Sequence, residues 1–297
     1  MLNFQNLTLG DLPRVKPYLL ASSSRACDNT VGGVFMWRDF FQTQYAFADG
    51  TLFFRVCYAG GVNAYPFPLG GDSRAALQTL RGHCLERGEQ LIFCTVTEPD
   101  LKRLLAEFNC FASPERDFFD YLYAAEDLVS LAGRKYSGQR NHIHAFQRAH
   151  PDYVFEPIGP ENLADVRRFY DRFQRLERKD AASFKEDQRK VLEIFDNFDV
   201  YGLFGGALRA QGEVLAFALG EIVGDTLFVH VEKADFTVRG AYQMVVNEFA
   251  KRYVGPGISY INREDDAGDL GLRTSKLSYH PIRLIEKYTV LTGEEDS

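Results

Sequence analysis

The stretch SYINREDDAGDLGLRTSKLSYHP, residues 259–281, places charged side chains directly after a short apolar run. The seven charged residues are Arg263, Glu264, Asp265, Asp266, Asp269, Arg273 and Lys276. A carboxylate can take a proton from an attacking amine, and paired cations can hold a phosphate or a developing oxyanion. The stretch therefore has the side chains of an acyl-transfer site. Its spacing is equally compatible with an exposed charged helix.

A short helix over residues 269–277 would decide how these charges are presented. In such a helix Asp269, Arg273 and Lys276 share one face, and the Asp269–Arg273 pair is favourable. Arg273 and Lys276 repel each other on that face. We expect them to hold an anionic group, with Lys276 as a catalytic cation and Arg273 as a substrate-binding one.

Two strands are needed to bring further polar side chains to the same place. Residues 226–232, 240–253 and 259–262 have the patterns of a strand, a helix and a strand, which is a β-α-β unit with parallel strands. The first strand then delivers His230 and Glu232 to one face. The second delivers residues 262–264, that is, Asn262, Arg263 and Glu264, to the same sheet edge.

A helix start completes this edge. Gly240 opens the helix, and its free N–H groups point where the strands end, which is a common position for a ligand. Glu232 is the better candidate for a general base because it lies nearer the strand end, and Asp265 is the second. His230 is typical of a core histidine whose hydrogen bonds are satisfied, and we place it among the substrate-binding residues.

The segment RKYSGQRNHIHAFQRAH, residues 134–150, is basic and contains no acid. It fits either a patch for phosphates, as at the acceptor end of a tRNA, or an amphipathic linker helix with a solvated face. His142 and His144 do not share a helix face, so this pair does not predict a zinc site. We expect no metal.

Composition bounds the class of protein. The chain has 297 residues, 45% hydrophobic content and a net charge of −7, which argues against a surface that coats nucleic acid. The five cysteines form no CxxC pair, no signal peptide is visible, and no stretch approaches the roughly 18 apolar residues of a membrane span. We expect a soluble cytoplasmic protein.

The order of elements predicts an α+β protein with two similar domains. Hairpins, a helix and a strand follow one another twice, with turns at residues 49–50 and 211–212. The boundary is predicted near Gly133, giving domains 1–132 and 133–297.

Four segments of the sequence resemble segments of one protein family: FVHVEKAD, GAYQMVVNEFAKRY, YINREDDAGDLGLRTSKLSYHP and RKYSGQRNHIHAF. They resemble the C-terminal domain of phosphatidylglycerol lysyltransferases over roughly residues 20 to 290, above all its soluble relatives. The resemblance implies two tandem GNAT-like domains, each a mixed central sheet with flanking helices. It places the main site in the C-terminal domain, open toward the interdomain cleft.

The resemblance also implies an activity. Membrane-bound members of the family transfer an amino acid from aminoacyl-tRNA to a lipid head group, and the related Fem enzymes transfer one to a peptidoglycan precursor. It implies polar site positions at Glu232, residues 262–265, Arg273 and Lys276, and it favours phosphate binding by Arg140 and Asn141. The expected donor is aminoacyl-tRNA without another cofactor, and the expected acceptor is a small molecule or a peptide.

Acyl-CoA is the second choice of donor. The acetyltransferase pyrophosphate loop aligns with residues 237–242, where Thr237 and Tyr242 depart from its pattern. Gly240 and Tyr242 are therefore candidate substrate-binding residues, but we expect weak binding of acetyl-CoA. An acyl-CoA-dependent N-acyltransferase and a non-catalytic module for a small ligand remain the alternatives.

Overall fold

The computed structural model of the chain describes residues 1–58, 61–176 and 182–293. Its strands are β1 (Gln5–Asn6), β2 (Gln44–Ala48), β3 (Thr51–Tyr58), β4 (Val62–Ala64), β5 (Leu69–Gly70), β6 (Ile92–Thr97), β7 (Cys110–Pro114), β8 (Asp120–Ala124), β9 (Val154–Pro157), β10 (Phe204–Ala210), β11 (Glu213–Val223), β12 (Thr226–Ala234), β13 (Tyr260–Asn262), β14 (Arg283–Ile285) and β15 (Lys287–Thr292). Its α-helices are α1 (Leu12–Leu20), α2 (Val31–Trp37), α3 (Ser73–Arg87), α4 (Glu98–Glu107), α5 (Ala125–Ser130), α6 (Ser137–Ala149), α7 (Leu163–Leu176), α8 (Ala182–Asp196), α9 (Phe198–Tyr201), α10 (Ala241–Tyr253) and α11 (Leu270–Leu277). No helix among these described residues has the length and apolarity needed to cross a membrane.

Contacts divide the chain into two compact units. The first consists of Met1–Asp120, Asp265–Leu270 and Leu284–Ser297, and the second of Tyr121–Glu264 and Gly271–Arg283. The domain boundary near Gly133 stays a prediction: by contacts, residues 121–132 belong to the second unit, and two segments beyond residue 133 belong to the first.

In the first unit, β1 to β4 follow one another in an antiparallel sheet, and β5 pairs with β3. A second sheet has the order β6-β15-β7. A parallel bridge between Tyr65, just after β4, and Phe93 of β6 links the two. Helix α3 connects the bridged segments, and its buried residues Leu77 and Leu80 belong to the core of this unit.

The second unit is built on a sheet with the strand order β14-β8-β13-β12-β11-β10-β9. Strands β9 to β12 are antiparallel neighbours, whereas β12 and β13 are parallel. Helix α10 makes the crossover between the parallel strands, and its buried face includes Met244, Val245 and Phe249. This crossover is the β-α-β unit predicted from the sequence.

The two units share one plan. Each has a run of antiparallel strands, followed by two parallel segments that a helix connects. An antiparallel strand from a distant part of the chain then pairs beside them. That last strand is β15 beside β6 in the first unit and β8 beside β13 in the second. The predicted α+β class with two similar mixed-sheet units is confirmed.

A buried lysine lies at the start of β15 in the first unit. The Lys287 Nζ atom is 2.5 Å from Asp28 Oδ2, 2.7 Å from Asp120 Oδ1 and 3.4 Å from Cys27 Sγ. Burial alone would lower the pKa of Lys287, but Asp120 and Asp28 outweigh it and hold this pKa well above 10.5. Among the described residues, Cys27, Asp28 and Asp120 are grouped closely enough to ligate a metal ion, and all three contact this ammonium.

Candidate functional site

The candidate site of the second unit lies where β12 and β13 separate. Their parallel pairing covers only Thr226–Tyr260, Leu227–Ile261 and Phe228–Asn262. Strand β12 continues to Ala234 with β11 as its neighbour, so its carboxyl half has no pairing with β13. The polar side chains that follow these last paired residues meet in this gap, at the carboxyl ends of the parallel strands.

His230 is the centre of the first polar cluster. Its Nδ1 is 2.7 Å from Glu264 Oε1, and its Nε2 is 2.9 Å from Glu221 Oε1. The His230 side chain is fully buried, while 20% of the Glu264 side chain is exposed. Burial would lower the pKa of His230, but the hydrogen bonds to Glu221 and Glu264 outweigh it and raise this pKa to about 10. His230 therefore carries a proton at neutral pH and is not a general base.

Glu232 and Arg263 form a second cluster beside the first. Glu232 Oε2 accepts from Arg263 Nη2 at 2.6 Å and from Nε at 3.1 Å. The guanidinium also lies 4.7 Å from the ring centre of Tyr279. Within the described part of the chain, buried Nη1 of Arg263 has no hydrogen-bond partner. Apolar side chains of β12 and α10, such as Val229 and Phe249, pack next to this pair.

Two predicted site residues hold the backbone of the site. Asn262 is fully buried, and its Oδ1 accepts from the N–H of Glu264 at 2.6 Å. This bond supports Glu264 in the left-handed region, at φ 56°, a strained conformation that is concentrated at functional sites. The buried ammonium of Lys276 donates to the carbonyl oxygen of Arg263. The sequence analysis expected Lys276 to hold an anion, whereas the structure shows it fixing the end of β13.

The remaining predicted residues of the 259–281 stretch are placed differently. Asp265 belongs to the first unit, where its Oδ1 accepts from the N–H of Ala267. Arg273 lies half-buried on α11. Tyr242, near the start of α10, is 37% exposed. The hydrogen bonds that build the two clusters involve none of these three residues.

The basic segment forms α6. Arg140 donates through Nη1 to the carbonyl oxygens of Leu131 and Gly133, so its guanidinium ties the start of α6 to the preceding loop. Asn141 is exposed. The structure thus gives Arg140 a structural task, and phosphate binding by Arg140 and Asn141 stays a prediction.

Gly240 has a packing role that the sequence analysis did not foresee. It adopts φ 87° just before α10, and a Cβ there would lie 2.3 Å from the carbonyl oxygen of His142 on α6. The start of α10 is therefore in close contact with the backbone of α6. The glycine permits this approach, and its predicted contact with a ligand stays a prediction.

Replacing Gly240 by alanine is expected to lower the free energy of unfolding by about 2–4 kcal/mol, because it adds a backbone clash to the cost of a positive φ. Gly224 is the matched control: it has φ 58° in a turn, and an added Cβ would meet no atom within 4 Å. Gly224→Ala should cost only about 1–2 kcal/mol, the backbone term alone. Urea denaturation of both variants measures the difference, and equal losses would contradict the packing role.

Glu221 is the residue of the site that sequence reasoning missed. It lies on β11 within the apolar run FALGEIV, and its side chain is 8% exposed. A single acid in a buried strand was the available signal. Its partner could not be inferred, because His230 reaches it through the pairing of β11 with β12, which contains a register shift at Leu219/Gly220.

Comparison with known proteins is consistent with this fold. Residues 21–291 match the family described as phosphatidylglycerol lysyltransferase, C-terminal. A conserved protein of unknown function from Bacteroides thetaiotaomicron is 33% identical, with a TM-score of 0.87 over 99% of this chain and 100% of that one. L-PGS from Bacillus licheniformis is 14% identical, with a TM-score of 0.66 over 96% and 92%. FemX is 10% identical, with a TM-score of 0.56 over 97% and 96%, so the last two show a shared fold alone.

One curated relative is an uncharacterized protein of Mycoplasmoides gallisepticum, 23% identical over 172 residues. The matched region covers 58% of this chain and 55% of that protein. This chain therefore spans about half the length of the curated relative that it matches.

Proposed function

This chain belongs to the family of the phosphatidylglycerol lysyltransferase C-terminal domain, and we propose that it is an aminoacyltransferase. Family and fold support an acyltransferase of the aminoacyltransferase or GNAT kind. The specific reaction we propose moves an aminoacyl group from aminoacyl-tRNA to an amine or hydroxyl acceptor.

One observation carries the proposal: carboxylates and a guanidinium converge in the gap where β12 and β13 separate. Glu264 is partly exposed there, and the Nη1 amino group of Arg263 has no hydrogen-bond partner in the described residues. Acyl transfer needs a group that handles the proton or charge of an amine and a donor that stabilises a negative oxygen. Glu264 and Arg263 supply these two groups.

The chemistry assigns each group a role. The acceptor nitrogen or oxygen forms a bond to the ester carbonyl carbon while Glu264 takes its proton. Arg263 donates through Nη1 to the carbonyl oxygen as that oxygen becomes negative. The bond to the tRNA ribose oxygen then breaks, and that oxygen takes up the proton that Glu264 accepted. Glu232 keeps Arg263 oriented through its two hydrogen bonds, so Glu232 positions a donor in this scheme and the predicted role of base passes to Glu264.

The test is a transfer assay with tRNA charged with radiolabelled amino acids, one amino acid at a time. Acceptors are phosphatidylglycerol vesicles, representing a hydroxyl, and a peptide with a free lysine, representing an amine. We expect protein-dependent movement of label from tRNA to one acceptor for at least one amino acid. If label leaves no charged tRNA faster than in the protein-free control, the proposal is wrong.

Calorimetry with acetyl-CoA tests the alternative donor. The departures at Thr237 and Tyr242, and the contact of Gly240 with α6, all argue against a pyrophosphate site at the start of α10. We expect a Kd weaker than about 1 mM, an affinity below about 4 kcal/mol. Micromolar binding would instead favour an acyl-CoA-dependent N-acyltransferase.

A further inference from the structure

We propose that Glu221 is a positioning residue of this site: it fixes His230 as an imidazolium, and the imidazolium holds the Glu264 carboxylate in place through a hydrogen bond. The importance of Glu264 for a substrate rests on the proposed function. The charge assignment rests on the geometry alone and can be tested without any substrate.

The two hydrogen bonds of His230 determine the protonation state of its ring. Both ring nitrogens of His230 lie within 2.9 Å of a carboxylate oxygen. A neutral imidazole has one N–H group and can donate to only one of them, whereas ionised carboxylates accept only. Two donated bonds therefore require the doubly protonated ring, in agreement with the raised pKa that the same two carboxylates give His230.

Glu221 determines the net charge of the cluster. With Glu221 and Glu264 ionised and His230 protonated, the three side chains sum to −1. Glu221 has little contact with solvent, whereas Glu264 has the partly exposed side chain. The negative charge that a substrate can reach is therefore on Glu264, and it suits an ammonium group. Without Glu221, a protonated His230 would cancel the charge of Glu264.

Rigid support makes the arrangement specific. The ring of His230 lies parallel to that of Phe228, with 6.4 Å between the centres. Asn262 holds the backbone of Glu264 because its Oδ1 accepts from the Glu264 N–H. The charged groups that contact the ring come from two directions, Glu221 on β11 and Glu264 after β13. These two carboxylates raise the proton affinity of His230, whereas burial lowers it.

The wild type and Glu221→Gln are expected to respond differently to pH. In the wild type, His230 keeps its proton throughout the neutral range, so the cluster stays at −1. In Glu221→Gln, one of the two stabilising carboxylates is gone while burial still favours the neutral ring. The variant cluster should change from 0 to −1 as the pH rises through the lowered pKa of His230.

Long-range proton–nitrogen NMR of the imidazole rings tests this directly. His230 is assigned by comparison with His230→Asn, and its two nitrogens are followed from about pH 5 to about pH 9, a range that spans the ordinary histidine pKa. We expect both nitrogens to stay protonated in the wild type. In Glu221→Gln the ring should lose one of these two protons within this pH range, and in Glu221→Asp it should do so at a higher pH than in Glu221→Gln.

Glu213→Gln is the matched control. It removes the same charge from the same strand, at a side chain that is 69% exposed, and should leave the His230 titration unchanged. Titration of wild-type His230 near its ordinary pKa would overturn the inference, as would a Glu221→Gln protein whose His230 stays doubly protonated over the whole range. If Glu221→Gln does not fold, the wild-type titration decides.

The proposed function is tested separately. A His230 that behaves as expected, in a chain that transfers no aminoacyl group, would support the charge assignment and contradict the aminoacyltransferase. Transfer activity combined with a neutral His230 would support the aminoacyltransferase and contradict the charge assignment.

Discussion

Replacing Lys287 by methionine is expected to lower the free energy of unfolding by about 3–5 kcal/mol, the usual cost of removing one partner from a buried ion pair. The Lys287 side chain is 1% exposed and the Asp120 side chain 0%. Methionine would fill much of the space but would leave Asp120 without its buried counter-charge, with Asp28 losing the same partner. A charge in that position cannot be solvated by water.

Urea denaturation measures the loss, and Lys102→Met is the matched control. Lys102 bonds Glu98 at 2.8 Å on the surface, with a side chain that is 73% exposed, and its loss should cost no more than about 0.5 kcal/mol. The deficit of Lys287→Met should shrink between about pH 7 and about pH 5, because uncompensated buried carboxylates take up protons more readily in the folded state. A loss similar to that of Lys102→Met would contradict the compensating role of Lys287.

The wild type should show the linked effect at alkaline pH. The folded-state pKa of Lys287 is raised above the 10.5 of an unperturbed lysine. The stability that this shift contributes is therefore fully present below that pH and is lost as the pH rises through the folded-state pKa.

Replacing Glu264 by glutamine is expected to reduce the rate of aminoacyl transfer by about 10²–10⁴-fold, the usual contribution of a general base. Glutamine has nearly the same shape and can still accept a hydrogen bond from His230, but it can neither take a proton nor attract an ammonium group. Stability should change by less than about 1.5 kcal/mol, the scale of one hydrogen bond.

Single-turnover transfer from charged tRNA checks this prediction, with Glu213→Gln as the control for the loss of a carboxylate elsewhere in the second unit. A Glu264→Gln protein that is folded, yet transfers within about threefold of the wild type, would remove Glu264 from the chemistry. The general base would then have to be sought elsewhere in the gap, with Glu232 the first alternative.

Local signals made part of the fold predictable. The turn predicted at residues 49–50 connects β2 and β3. The start of α3 also has a local signal, the cap residue Asp72, whose side chain accepts from the N–H of Ala75. The crossover of β12, α10 and β13 followed from periodicity, since a strand, a helix and a strand each bury one face.

Non-local pairing explains what could not be predicted. Strand β4 ends at Ala64, and Pro66 and Pro68, which follow it, cannot donate to a ladder. Strand β15 was missed because its partners, β6 and β7, lie far away in the sequence.

The same reasoning holds for the site. Sequence spacing brought Glu232, residues 262–264 and Lys276 to one end of the crossover, where the structure places them. It could not show that Lys276 bonds a backbone carbonyl or that Glu221 completes the histidine cluster. Those contacts depend on which polar atoms come together after folding, and the residue types alone do not determine which atoms these are.

The place of β15 has a consequence for how the protein is made. During synthesis β6 and β7 leave the ribosome early, whereas the strand that separates them is translated only after every strand of the second unit. Until then the nascent first unit has two unpaired strand edges and lacks the ammonium that balances Asp120. The first unit to be translated must therefore be the last to finish folding, and ribosome-bound chains should present those edges to chaperones for most of translation.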